Sequence, residues 1–145
     1  MADARKLTDP ETPHADDASP GGGMRGEISS AMVSIMKKYL GKGPTNARTF
    51  FNERYIFCVM EGGLTRADET LLAAGQEDLV RTYRLSFESA ITPVITRAVA
   101  DITQRAVVGY HSQVILDPPH TIEIFILDEP PGRSVAPEQL PGSDV

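Results

Sequence analysis

The chain has 145 residues, with 20 acidic against 14 basic side chains and a net charge of −6, a length that suits one domain rather than two complete ones. Its 41% hydrophobic and 23% charged residues are ordinary for a soluble globular protein, and its acidity argues against broad nucleic-acid binding, which needs phosphate-neutralising Lys and Arg. One cysteine excludes an internal disulfide and a Cys-based zinc cluster, and the longest apolar run, Tyr55 to Met60, is far short of the roughly 20 residues of a membrane span.

Met1 to Gly23 carries five acids against two bases, and Asp128 to Val145 carries four against one. These ends hold seven of the eleven prolines and none of the nine Phe and Tyr residues. Such segments bury too little surface to offset the entropy of ordering the chain, so disorder is expected over 1–23 and 128–145. They serve as solubilising ends or as docking motifs, and their removal is expected to leave the core stable. The first 20 residues contain no apolar run, so no signal peptide and a cytoplasmic location are expected. A single folded domain over 24–127 remains, electrically neutral by difference.

The first helix is predicted over Arg25 to Leu40. Ile28, Met32, Ile35, Met36, Tyr39 and Leu40 recur at spacings of three and four, with Glu27, Ser30, Ser34, Lys37 and Lys38 on the other side. Lys37 and Lys38 suit the carbonyl end of the helix dipole, Gly41 suits a left-handed stop, and Pro44 forbids resumption. A β-hairpin follows, Ala47 to Phe51 and Arg54 to Glu61, turning at Asn52-Glu53. Ile56, Cys58 and Met60 share one face of it; Tyr55, Phe57 and Val59 share the other. Both faces are apolar.

Thr65 opens a short second helix through a capping-box variant in which Asp68 takes the usual place of Glu or Gln, and Gly75 ends it. A long helix is predicted from Glu77 to Gln104, with Val80, Tyr83, Phe87, Ile91, Val94, Ile95, Ala98 and Ile102 as its buried stripe and a bend at Pro93. Val107 to Leu116 and Thr121 to Leu127 read as strands joined by Asp117 to His120. In the last, Ile122, Ile124 and Ile126 form one face, while Thr121, Glu123, Phe125 and Leu127 make the second face mixed. The order α-β-β-α-α-β-β implies an α+β domain whose four-stranded, mostly antiparallel sheet packs on helices.

The candidate chemistries are few. Gly41-Lys42-Gly43-Pro44-Thr45 is not a nucleotide loop, because a helix precedes it and a strand follows, the reverse of a P-loop. It is a helix stop, or a weaker anion or partner contact through Lys42, Gly43 and Thr45. His14, His111 and His120 lack metal-ligand spacing and are expected as polar surface residues. Cys58 sits among apolar neighbours that suppress the thiolate, so a core role is expected. Ser86, Ser89 and Thr92 lack a nucleophile elbow. Arg81 and Arg84 lie three apart on the long helix. They form either a solvated face with Glu77 and Glu88 or a pair that grips an anion or partner chain. No cofactor or metal motif is present, and no enzymatic activity is expected.

Gly26-Glu27, Gly41 to Thr45, Leu64-Thr65 with Glu69 and Leu71-Leu72, Val80-Arg81 with Arg84 and Phe87, and Phe125-Ile126-Leu127 together resemble the MpsC-like domain, over Arg25 to Leu127. Gln104-Arg105-Ala106 stands where that family's pattern has a glycine before the third strand. The resemblance implies a small soluble component of a sodium-translocating, membrane-potential-generating system. It implies an accessory role beside membrane transport or bioenergetic proteins, peripheral to the inner face of the membrane, and no catalytic residue. The alternative is an anion- or small-molecule-binding regulator using Arg81, Arg84 and the Gly41–Thr45 loop. A homodimer is expected, because helices on one face leave Tyr55, Phe57 and Val59 for a second copy to cover.

Overall fold

The computed structural model describes residues 22–131. Of the disorder expected over 1–23 and 128–145, residues 1–21 and 132–145 lie outside the described residues, whereas 128–131 are ordered, with Asp128 N–H donating to Ala106 O and Arg105 Nε to Pro130 O. The elements are α1 (Gly22–Leu40), β1 (Asn46–Asn52), β2 (Tyr55–Glu61), α2 (Arg66–Ala73), α3 (Glu77–Thr103), β3 (Val107–Leu116) and β4 (Pro119–Leu127). The predicted order and the α+β class hold. The sheet runs β1-β2-β4-β3, and every neighbouring pair is antiparallel.

Local chemistry sets the boundaries. α1 starts at Gly22, so Gly22 and Gly23 are helical rather than part of a tail. It stops at Gly41, whose φ of +91° reverses the chain while its N–H donates to Lys37 O at 3.1 Å. In the first hairpin Asn52 pairs with Tyr55, so the turn is Glu53-Arg54, one residue later than expected, with Glu53 at φ +57°. Thr65 caps α2 as predicted: its Oγ1 accepts from Asp68 N–H, and Asp68 Oδ2 accepts from Thr65 N–H, both at 3.0 Å. α3 continues through Pro93 and ends at Gln104, which adopts the left-handed conformation (φ 60°) that glycine usually supplies.

α1 and α3 cover the same face of the sheet. Ile28, Met32 and Met36 of α1 meet Ile56, Cys58 and Met60 of β2, Phe125 and Leu127 of β4, and Ile91, Ile95 and Val99 of α3. A smaller cluster of Val80, Val114 and Leu116 lies beneath Leu64, Leu71 and Leu72 of the α2 region. Nothing among the described residues covers the other face.

Two expectations need correction. The buried side of α3 is Val80, Arg84, Glu88, Ile91, Ile95, Val99 and Thr103, whereas Tyr83 is 51% exposed and Phe87, Val94, Ala98 and Ile102 are half-buried. Following apolar residues alone displaced the stripe, because two of its members are charged. In β4 the mixed set points inward: Thr121, Glu123, Phe125 and Leu127 are buried. The register pairs Ile122 with Val59, Ile124 with Phe57 and Ile126 with Tyr55, so the isoleucines belong to the open face.

Candidate functional site

The strand register assembles a polar row across the covered face. Thr49 lies opposite Cys58, Cys58 opposite Glu123, and Glu123 opposite Ser112. At the β1 end the Thr49 and Ser29 hydroxyls are 2.8 Å apart, tying the sheet to α1. At the other end Glu88 descends from α3. Glu123 is fully buried and Glu88 is only 2% exposed. The Tyr110 hydroxyl donates to Glu123 Oε1, and the Tyr110 and Phe125 rings pack with centroids 5.3 Å apart. Both Glu88 oxygens, Glu123 Oε2 and Ser112 Oγ are buried without a hydrogen-bond partner of ordinary geometry. Alongside runs a groove of about 220 Å³ bordered by Leu85, Glu88, Thr92, Tyr110, His111 and Ser112.

Burial dominates the electrostatics of this row. It raises the Glu88 carboxyl, an effect opposed by Glu123, Arg84 and Ser112. It raises Glu123 well above the usual carboxylate range, and the adjacent Glu88 raises it further. Burial and Glu123 also push the Tyr110 phenol up. The Cys58 thiol is pushed up to about 12, chiefly by burial, so it is held as a neutral thiol.

The structure separates the residues singled out from the sequence. Arg84 is 4% exposed rather than solvated: its Nη1 donates to Asp68 Oδ2 at 2.7 Å and to Gly63 O at 3.3 Å. Its ion pair is with Asp68, not the expected Glu88. Arg81 instead donates to Glu77 Oε2 at 2.9 Å and to Val114 O at 3.2 Å at the surface. The two guanidiniums therefore present no common fork. Lys42 and Arg84 do border one cavity, together with Pro44, Gly62 and Gly63, but its volume is about 10 Å³, room for a single water at most. Gly43 packs beneath the α1 backbone at Val33, and Thr45 Oγ1 donates to Glu61 O at 3.2 Å. Gly62 is required there, since its φ is +74° and a Cβ would sit 2.9 Å from Thr45 Oγ1. His111 is exposed, and His120 Nδ1 lies 3.0 Å from Pro118 O. Among the described residues no group of three or more His, Cys, Asp or Glu side chains is placed to hold a metal ion.

The candidate interface residues share one surface. Tyr55, Phe57 and Val59 lie beside Ile126, Ile124 and Ile122, and Phe50 lies beyond Phe57 on β1. Phe57 is 46% exposed, and Phe50 and Tyr55 are similarly open. Arg48 and Arg54 stack over the Phe50 and Tyr55 rings at 5.6 and 5.4 Å. At the end of the face near the first hairpin turn lies a depression of about 560 Å³.

The carboxylates of the covered face escaped the sequence reading. Their signal was positional: Glu123 sits between isoleucines in an apolar strand, and Glu88 follows Arg84 by four and precedes Ile91 by three.

Among the described residues no helix is long and apolar enough to cross a membrane. No curated protein and no solved structure matches the chain. The family model described as the Na+-translocating membrane potential-generating system (MpsC) matches residues 22–129, which takes in α1 through β4 and every site described above. By that match the chain belongs to the MpsC family.

Proposed function

We propose that the protein is a non-catalytic accessory domain of a sodium-translocating, membrane-potential-generating system. In this reading it acts as a homodimer on the cytoplasmic side, held at the membrane by a transport or bioenergetic partner. The observation that supports it is the uncovered sheet face, where Phe50, Tyr55, Phe57, Ile122, Ile124 and Ile126 form one contiguous apolar surface. Residues 1–21 and 132–145 contain no Phe, Tyr, Trp or Ile, so the chain's own ends have little to lay over it. A second copy supplies a matching surface: two such faces stack as in a β-sandwich, and twofold pairing closes without leaving an exposed half. The anion-binding alternative has less support, because Arg84 is committed to Asp68 and its shared cavity with Lys42 admits no anion.

Light scattering at micromolar concentration should give twice the mass of one chain, and Phe57→Glu should give a folded monomer. Affinity capture with the full chain from membranes of its native cell should retrieve an ion-transport protein. A single-chain mass across the concentration range rejects the dimer, and capture that returns no membrane protein rejects the accessory role.

A further inference from the structure

The uncovered sheet face accounts for the proposed contacts of the molecule and leaves the covered face unexplained. There, two carboxyl groups meet beneath α3, Glu123 fully buried and Glu88 2% exposed. Three of their four oxygens lack hydrogen-bond partners, and so does the neighbouring Ser112 hydroxyl. We propose that Glu88 and Glu123 form a buried proton-binding site, one proton shared between two carboxyl groups, which latches α3 onto β3 and β4.

The charge inventory of the neighbourhood requires it. α3 contributes Arg84 and Glu88, β4 contributes Glu123, and β3 contributes Tyr110, Ser112 and, at the border of the groove, the exposed His111. β2 and β1 add only neutral Cys58 and Thr49. Arg84 favours the ionised Glu88 but is itself paired with Asp68 across a 2.7 Å contact. Two ionised glutamates would therefore leave two poorly compensated like charges in a low-dielectric interior, where neither recovers its lost hydration. One proton removes half of that charge and gives the pair a donor between them. Oε2 of Glu123 is the open acceptor, since Tyr110 already occupies Oε1. The hydroxyl of Ser112 completes the shell by donating to whichever oxygen stays unprotonated. The groove beside Glu88, Tyr110 and Ser112 gives the proton a short route to solvent.

Release follows alkalinisation. Loss of the proton restores the like-charge pair, and relief comes from moving Glu88 outward with α3, into the groove. Because both carboxyls are raised in the folded state, the stability they confer is present below the usual carboxylate range and is lost as pH rises through their folded values.

The test uses the full chain. Chemical denaturation across pH should show the wild-type folding constant falling about tenfold per pH unit from where the unfolded carboxyls ionise to where the folded pair gives up its proton, the slope of a single linked proton, and levelling off above that. Glu88→Gln and Glu123→Gln, which mimic the protonated acid, should each keep the low-pH stability and lose that slope. Hydrogen exchange on the wild type should accelerate over the same pH range at α3 and at the Ser112 end of β3, while α1 stays protected. This second readout needs no variant to fold. A slope equal to wild type in both variants would overturn the proposal. So would a stability that depends on sodium or magnesium against choline at constant ionic strength, since a metal ion would then occupy the pair.

Discussion

Arg84 is the residue whose substitution should cost the most for a reason that has nothing to do with ligand binding. Its partner Asp68 is 2% exposed and also caps α2, so Arg84→Ala would strand a carboxylate inside the fold. A loss of about 3–5 kcal/mol is expected for breaking one side of such a buried pair. Arg81→Ala removes an exposed pair to Glu77 and should cost less than about 1 kcal/mol. Urea denaturation of the two variants separates these cases; equal losses would mean that burial of the Arg84 pair does not govern stability. At Gln104 the strain runs the other way. A non-glycine residue held at φ 60° costs about 1 kcal/mol or more, so Gln104→Gly should raise the melting temperature, less the value of its side-chain bond to Asp101 O. The sequence made the glycine stops and the Thr65 cap legible, because each depends on residues within four positions. It did not reveal that Arg84 is buried, because its partner Asp68 lies 16 positions away on another element.

The elements themselves were legible from periodicity and punctuation, but the faces they bury were not always so. α3 shows why: Val80, Arg84, Glu88, Ile91, Ile95, Val99 and Thr103 follow a regular helical spacing. A stripe drawn through apolar side chains alone lies one residue off, on Tyr83 and Phe87. β4 fails in the same manner, since its most apolar alternation, the isoleucines, faces away from the helices. Pairing register, which single-strand patterns do not encode, decides the matter. Thr65→Ala removes one half of the capping box and should destabilise by about 1 kcal/mol, read as a shift in the denaturation midpoint. The chain after β4 is also tied down: Asp128 N–H donates to Ala106 O at 3.0 Å, Arg105 Nε donates to Pro130 O at 2.7 Å, and Pro131 is buried. A chain ending at Pro131 should therefore exceed one ending at Leu127 by about 1–2 kcal/mol, since each net hydrogen bond contributes about 0.5–1.5 kcal/mol. Equal stability of the two would show that these contacts are idle.

At the scale of the whole molecule, a two-layer fold with helices on one face leaves two ways for a second copy to attach. One is the open face; the other is an edge of the sheet, where β1 and β3 each present an unpaired backbone rim. The side chains favour the face. Phe57 and Ile124 are neighbours at its centre, with Phe50, Tyr55, Ile122 and Ile126 around them, whereas β3 offers two exposed apolar side chains, Val108 and Ile115, near its opposite ends. A face dimer removes water from large aromatic and branched surfaces on both copies, which drives association at roughly 25 cal/mol per Å² before the cost of lost freedom is deducted. An edge dimer would rest mainly on backbone hydrogen bonds that are already satisfied by solvent. Introducing a charge distinguishes the two. Phe57→Glu should abolish the dimer and leave a melting temperature independent of protein concentration, because the association no longer contributes by mass action. Val108→Glu should leave both the dimer and the concentration dependence as in the wild type. The opposite pattern would place the interface at the edge and leave the apolar face for the membrane partner alone.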